Sequence, residues 1–320
     1  MVLTGQTWGF RGNVLREDLA DFITQIGYKG RPFTEITGDT EAHQDFHQWN
    51  ERGLAARNIN RNSQGFDYSF GDIKAPTKRT NSTQILTDSV FVSRTSARAR
   101  NAGISDLIAD QTNVNLIEHL NDIEWNLING TLVSSVSGSS GVSSATGSGA
   151  QMDGLLNTLF TAGGSISALT GASLAVADLN AAQDILDSRG MEPTDILCSP
   201  VIKRRISAAT TSNTKYIMAS DKEVIESVAI YEGDFGRSEL RVSRDLSFAS
   251  GNGNNYSGFS TALPIYNTVV LDRSLWKKAW LDKTFMERVP KREDGVGMVI
   301  VSELTLEYGA KTGGHLLQNQ

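Results

Sequence analysis

The order of apolar and polar positions divides the chain into segments of distinct texture. In NVLREDLADFITQIG, Leu15, Leu19, Phe22 and Ile26 recur at helical spacing, with Asn13 as N-cap and Gly27 as stop, which predicts a short amphipathic helix. From RPFTEITG to HQWNERGLAAR the chain reads as extended and polar, anchored by Phe33, Phe46 and Trp49. Residues 50–84 are leaner still. Leu54, Ile59, Phe66, Tyr68, Phe70 and Ile73 lie scattered among glycines and charges over about 35 positions, too few to bury a core, and the β-capable flanks predict a projecting hairpin.

Its return arm, APTKRTNSTQILTDSVFVSRT (75–95), is rich in β-formers, yet polar residues interrupt both faces. We expect it to leave the projection at Pro76, to present Lys78 to Thr83 to a neighbour, and to join the body's own sheet by Val90 and Val92, with the handover between Gln84 and Asp88. Next, Leu116, Leu120, Ile123 and Leu127 form one stripe, with Ser105 as N-cap and Gly130 past the end. That predicts a helix from about 105 to 129, about 35 Å long. A Ser/Gly tract at 134–150 follows and reads as a flexible loop.

Beyond residue 170 the pattern is α+β. Ala175, Leu179, Ala182 and Leu186 mark a helix closed by Gly190; TDILCSP is a short buried strand; Ser199 and Pro200 open a further helix. VAIYEGDFGRSELRVSRDL reads as a hairpin, GNGNNYSG as a surface loop, and NTVVLD, KKAWL and GMVIVSELTLEYG as strands. The last alternates, with Met298, Ile300, Leu304, Leu306 and Tyr308 on one face and Glu303, Thr305 and Glu307 on the other.

Composition sharpens this picture. The 320 residues are 39% hydrophobic with a net charge of −6, which speaks against a nucleic-acid reader with a broad basic surface. Residues 51–100 hold nine basic and four acidic side chains, a surplus of five, so the remainder carries −11. Copies of such a two-sided molecule can attract one another. A lone cysteine and a start without a signal peptide's pattern predict synthesis in a reducing cytoplasm, and no apolar run predicts a membrane span.

Candidate chemistry is sparse. His43 and His47 share a face, but Gln44 stands where a zinc protease needs glutamate, and a third ligand would have to come from Glu41, Asp45, His119 or His315. Cys198 sits in an apolar strand and reads as inert. Ser165 in TAGGSISAL lacks the second glycine of a nucleophile elbow and has no histidine nearby in sequence. GNGNNYSG fails the dinucleotide pattern at Tyr256. Asp122 with Glu124, and Glu293 with Asp294, read as solvated charged turns, and the sequons at Asn81, Asn129 and Asn255 carry no weight without secretion. The cluster KAPTKRT lacks interleaved aromatic residues, so a protein contact is better supported than a nucleic-acid one.

The order of parts and the wording itself resemble a known family. REDLADFI, RPFTEI, HQWNERGLAAR, TKRTNSTQILTDSVFVS, CSPVIKRRIS, YEGDFG, LDRSLWKKAWL and VSELTLEYGAKTGGHL match, in order and almost end to end, phrases of a branch of the tailed-bacteriophage major capsid proteins, which have the HK-ninety-seven-type fold. The resemblance implies an α+β subunit. It assigns 1–49 to an N-terminal arm with a helix at Arg16 to Ile26, and 50–84 to an extended E-loop hairpin. Residues 85–169 become a P-domain with the long spine helix and the Ser/Gly loop, 170–262 an A-domain, and 263–320 the P-domain return strands. The Ser/Gly tract and SGNGNNYSGFSTALP depart from the family pattern.

What the resemblance implies is a non-enzymatic shell protein without cofactor or metal. It would self-assemble into the pentamers and hexamers of an icosahedral shell around double-stranded DNA, which it would touch through the phosphate backbone alone. Scaffold, portal and decoration proteins are the expected further partners, the virion capsid the expected location, and host cytoplasm the expected place of assembly. The expected inter-subunit contacts are Arg57, Arg61, Phe66, Tyr68, Phe70, Lys74, Lys78 and Arg79. Lys74 and Lys78 also lie where some relatives carry a crosslinking lysine. A tail or decoration protein, or a hydrolase built on residues 170–310, is the alternative.

Overall fold

Leaving Gly27, the chain makes one helical turn, α1 (Pro32–Ile36), then β1 (Gly38–Glu41) and the two arms of a ribbon, β2 (Phe46–Glu51) and β3 (Thr77–Ser82). β4 (Gln84–Ser93) and a short α2 (Arg94–Arg98) lead into the long helix α3 (Leu107–Asn129). There follow α4 (Leu155–Phe160), β5 (Ile166–Leu169), α5 (Val176–Ser188), β6 (Asp195–Cys198), α6 (Pro200–Ala209), β7 (Ile230–Gly233), β8 (Gly236–Val242) and β9 (Ser247–Phe248). β10 (Ile265–Leu271), the long pair β11 (Trp276–Val289) and β12 (Gly295–Tyr308), and β13 (Gly314–Asn319) complete the chain.

This computed structural model describes residues 27–54, 57–67, 71, 73–99, 104, 106–132, 150–161, 163–169, 174–209, 229–248, 265–290 and 294–319. The expected N-terminal helix, Tyr68, Phe70, Ser105, nearly all of the Ser/Gly tract and the GNGNNYSG loop lie outside the described residues.

The N-cap of α3 falls one residue later than the Ser105 expected. Asp106 caps it, its carboxylate accepting from the backbone N–H of Ile108 (2.9 Å) and Ala109 (3.3 Å). Leu116 and Leu120 are half-buried, whereas Ile123 and Leu127 are fully buried. The last turn, Asn126 to Asn129, is enclosed on every side, because both sheets close around that end of the helix.

The first sheet has the order β1-β11-β12-β4, with β1 parallel to β11 and the other pairs antiparallel. β12 alternates in part as expected: Ile300, Leu304, Leu306 and Tyr308 are buried and Ser302 shares their face, but Met298 is only half-buried, and Thr305 on the opposite face is buried too. The second sheet has the order β5-β13-β10-β6-β8-β7, with β9 pairing β10. Its central strands are apolar at consecutive positions because both faces are covered. Val269, Leu271, Leu197 and Leu316 pack into the cluster that holds α3 and α4, while Val270, Ile196, Cys198 and Leu317 pack into the one that holds α5 and α6. The hairpin β7–β8 turns tightly through Gly236, at φ +133°.

The end of α3 is fixed by a backbone crossing. Gly154 N–H donates to the carbonyl of Gly130 (2.9 Å). A Cβ at Gly154 would lie 2.6 Å from Gly130 N and 3.0 Å from the carbonyls of Asn126 and Ile128. Glycine stands there because two main chains touch.

Gly154→Ala should therefore destabilise the subunit by about 1–3 kcal/mol, the usual penalty for overpacking. Gly53→Ala, which meets nothing within 4 Å, should leave the midpoint of urea denaturation where it is.

Candidate assembly interface

β2 and β3 pair from Phe46↔Ser82 to Glu51↔Thr77, and no described residue between 52 and 76 belongs to a strand. All described side chains in that excursion are exposed. They include Leu54 (97%), Ile73 (94%), Ile59 (83%) and Phe66 (46%). A single exposed leucine is ordinary, but four large apolar side chains are exposed on this one projection, where a partner could cover them. Arg57, Arg61 and Lys74 are exposed on the same excursion. Lys78 and Arg79 occupy successive positions of β3 and so face opposite ways. Lys78 points to solvent, while half-buried Arg79 donates from Nε to Glu51 (2.7 Å), bracing the ribbon across its two strands.

The ribbon's root differs from the expectation. Asn81, Ser82 and Thr83 are buried in their own subunit, so the stretch expected to face a neighbour ends at Thr80. The handover to the sheet occurs at Thr83, where the strand breaks: its N–H donates to the carbonyl of Asp45 (2.8 Å) and its hydroxyl to Glu303 (2.8 Å). From Gln84 onward the chain pairs with β12. On the other arm His47 Nε2 lies 2.8 Å from the carboxylate of Glu307, and Trp49 packs edge-on against Tyr308 with ring centroids 4.9 Å apart. His43 stays exposed, and among the described residues no three His, Cys, Asp or Glu side chains gather as metal ligands.

Asn81 is the most connected side chain of the root. Its Nδ2 donates to the carbonyls of Leu306 (2.8 Å) and Asp153 (3.1 Å), and its Oδ1 accepts from the N–H of Asp153 (2.8 Å) and Ser82 (2.9 Å). Gln84 extends the junction, donating to Asn126 Oδ1 (3.0 Å) and accepting from Met152 N–H (3.3 Å). In the sequence Asn81 stands out only as a sequon within the stretch expected to face a neighbour, because its partners lie 72 and 225 positions away.

Glu124 corrects a second expectation. It is buried rather than solvated, and its carboxylate accepts from Phe33 N–H (2.9 Å), Thr34 N–H (2.7 Å) and the Thr34 hydroxyl (2.5 Å), capping α1 from the spine. Burial pushes its carboxyl above the usual range, and these donors hold it back. Lys278 secures the same turn, donating to the Thr34 carbonyl (2.8 Å) and lying 3.2 Å from Asp39. Earlier in the chain, the Tyr28 hydroxyl donates to the Val242 carbonyl (3.1 Å) and Arg244 stacks 4.5 Å over its ring.

Two polar rows have the look of catalysis. Asp88, His119 and Ser302 line up with His119 Nδ1 2.5 Å from Asp88 and Nε2 2.7 Å from Ser302, whose hydroxyl also meets Thr284 (2.7 Å). His119 and Ser302 are wholly buried where α3 lies on the first sheet, so no substrate can reach the hydroxyl. Ser165 does gain a histidine from the fold: its hydroxyl lies 2.6 Å from His315 Nδ1 and accepts from Arg189 (2.7 Å), while His315 Nε2 lies 3.0 Å from the Ser167 hydroxyl. Among the described residues no acid orients this histidine, and burial with the Arg189 charge lowers it to about 4, so it is neutral at pH 7. Cys198 is buried and its thiol is pushed up to about 12, which leaves it inert as expected. These rows fasten elements together.

A model of the SU10 major capsid protein family matches residues 2–319. Among solved structures, the chain is similar to the capsid of the native GTA particle (TM-score 0.63, 12% identity, 99% of each chain covered). It is also similar to a structure from Mycobacterium phage Bobi (TM-score 0.59, 12% identity, 95% of each chain) and to the capsid of the cyanophage P-SCSP1u (TM-score 0.58, 11% identity, 95% of this chain and 92% of that one). At such identities the likeness is one of fold. No curated protein matches the sequence.

The His315 row gives a pH dependence with a definite sign. Between pH 6.5 and about 4 the unfolded chain binds a proton that the folded chain refuses, so acidification through this window removes stability that is fully present above it. His315→Asn should flatten that part of the stability profile, as read by urea denaturation at half-unit pH steps.

Proposed function

The chain belongs to the SU10 major capsid protein family, and on that premise we propose that the excursion at residues 52–76 is the surface through which one subunit grips the next. The protein is a phage capsid subunit with the HK-ninety-seven-type fold, structural rather than enzymatic, and its place is the virion shell. The observation that carries the proposal is the contrast between the ribbon's two ends. Its root is buried and hydrogen-bonded, while its far end holds Leu54, Ile59 and Ile73 in water. An apolar projection on a firmly held base is stable at low cost only if another surface covers it, and a self-assembling shell supplies that surface from a second copy.

In this reading Arg57, Arg61, Phe66, Lys74 and Lys78, with Tyr68 and Phe70 beside them in the chain, meet a neighbour. Arg79 serves indirectly, by stiffening the ribbon through Glu51. The surplus of basic residues between 51 and 100 favours a partner surface drawn from the acidic remainder of the same chain. Arm, excursion, spine-bearing segment and second α+β segment, at 1–49, 50–84, 85–169 with 263–320, and 170–262, would act as the parts of one subunit, with β5, β10 and β13 crossing the last boundary to complete the second sheet. Many weak contacts per copy, summed around rings of five and six, would close an icosahedral shell about double-stranded DNA held by its backbone. Scaffold, portal and decoration proteins would join it during assembly in the host cytoplasm.

Sedimentation and negative-stain microscopy of the purified chain, alone or with a co-expressed assembly factor, should show closed shells; monomers under every condition would sink the proposal. Lys78→Glu should cut shell yield at least tenfold while leaving the unfolding midpoint unchanged. Normal shells from that variant would remove Lys78 from the interface.

A further inference from the structure

We infer that Asn81 is the positioning residue that aims the ribbon, an inference that rests on the reading of residues 52–76 as an inter-subunit grip. The ladder of β4 on β12 stops at Gln84↔Leu304. Two residues further along β12, Leu306 still pairs with Lys278 of β11 but lies past the end of the β4 ladder, and its carbonyl accepts from Asn81 Nδ2 (2.8 Å). The side-chain amide thus stands in for the next rung while the main chain turns away. That substitution is what lets the ribbon leave the plane of the sheet without stranding a buried carbonyl.

The direction of departure is set because the amide has no freedom left. Both of its hydrogens and both of its oxygen lone pairs are used, on Leu306, on both backbone groups of Asp153 and on Ser82. Flipping the amide would set donors against donors and acceptors against acceptors. The second anchor, Asp153, adjoins Gly154, which is bonded to Gly130 at the end of the spine helix (2.9 Å). Asn81 therefore references the ribbon to β12 and to the spine at once. It belongs to neither apolar cluster, so the subunit body can form without it.

The test separates aim from stability. Spin labels at Asn50→Cys on the ribbon and Glu287→Cys on β11, both exposed, report their mutual distance in unassembled subunits, and the inert Cys198 does not compete for label. Asn81→Ala should keep the wild-type circular dichroism yet broaden the distance distribution at least twofold. Its assemblies should scatter in diameter where wild-type shells are uniform. A distance distribution as narrow as wild type, or shells of unchanged diameter, would overturn the inference. If the alanine variant does not fold, Asn81→Asp decides by the same criteria, since it keeps the acceptor half but sets a carboxylate against two carbonyls. The label distances are read before any subunits meet. Failure of the inter-subunit reading would instead appear as normal assembly by Lys78→Glu, so the two failures are distinguishable.

Discussion

Two main chains crossing without side chains between them, at Gly130 and Gly154, set the frame on which the other elements hang. The crossing pins the enclosed end of α3 against the segment that returns to the body, and that segment carries both backbone groups of Asp153 to the ribbon's root. On the far side of the same helix Glu124 caps α1 and so locates β1 at the edge of the first sheet. A spine helix held only by its apolar stripe could slide or roll. Here its last turn is packed all round, and polar groups on two sides hold its rotation.

From that frame follows a division of labour within one polypeptide. Where the chain is to be rigid, its polar groups are buried and paired: Asn81, Thr83, Glu124 and the His119 row each tie segments distant in sequence. Between residues 52 and 76 the described chain departs from both rules at once, with apolar side chains in water and a backbone outside any strand. A monomeric protein would be penalised for such an excursion. Under the proposed reading, burial of these side chains against a second copy would relieve that penalty and so favour association.

The parts of this design differed in how far they could be read from the sequence, for physical reasons. The stripe of α3, the alternation of β12 and the all-apolar runs of β6 and β10 are visible because burial imposes a period, and a period is a local property. The lean stretch from 50 to 84 is legible for the opposite reason, since a missing core is also local. The resemblance then assigned these parts an order within one subunit. What could not be read is where polar residues find partners. Glu124 looks like any solvated glutamate until α1 arrives from 90 residues upstream, and Asn81 looks like a sequon until Leu306 comes beside it. Ser165 and His315 likewise meet only after the second sheet has formed. Each depends on chain segments brought together by the fold, and no periodicity announces them.

The crossing at Gly130 and Gly154 also bears on how the family can vary. The chain on either side of residues 133–149 is joined by the hydrogen bond between Gly154 and Gly130, so the two ends of that connection are held together by the body itself. For a connection closed in this way, doubling its length costs only about 0.6 kcal/mol of closure entropy. Insertions and deletions in that serine- and glycine-rich passage are thus nearly neutral for folding.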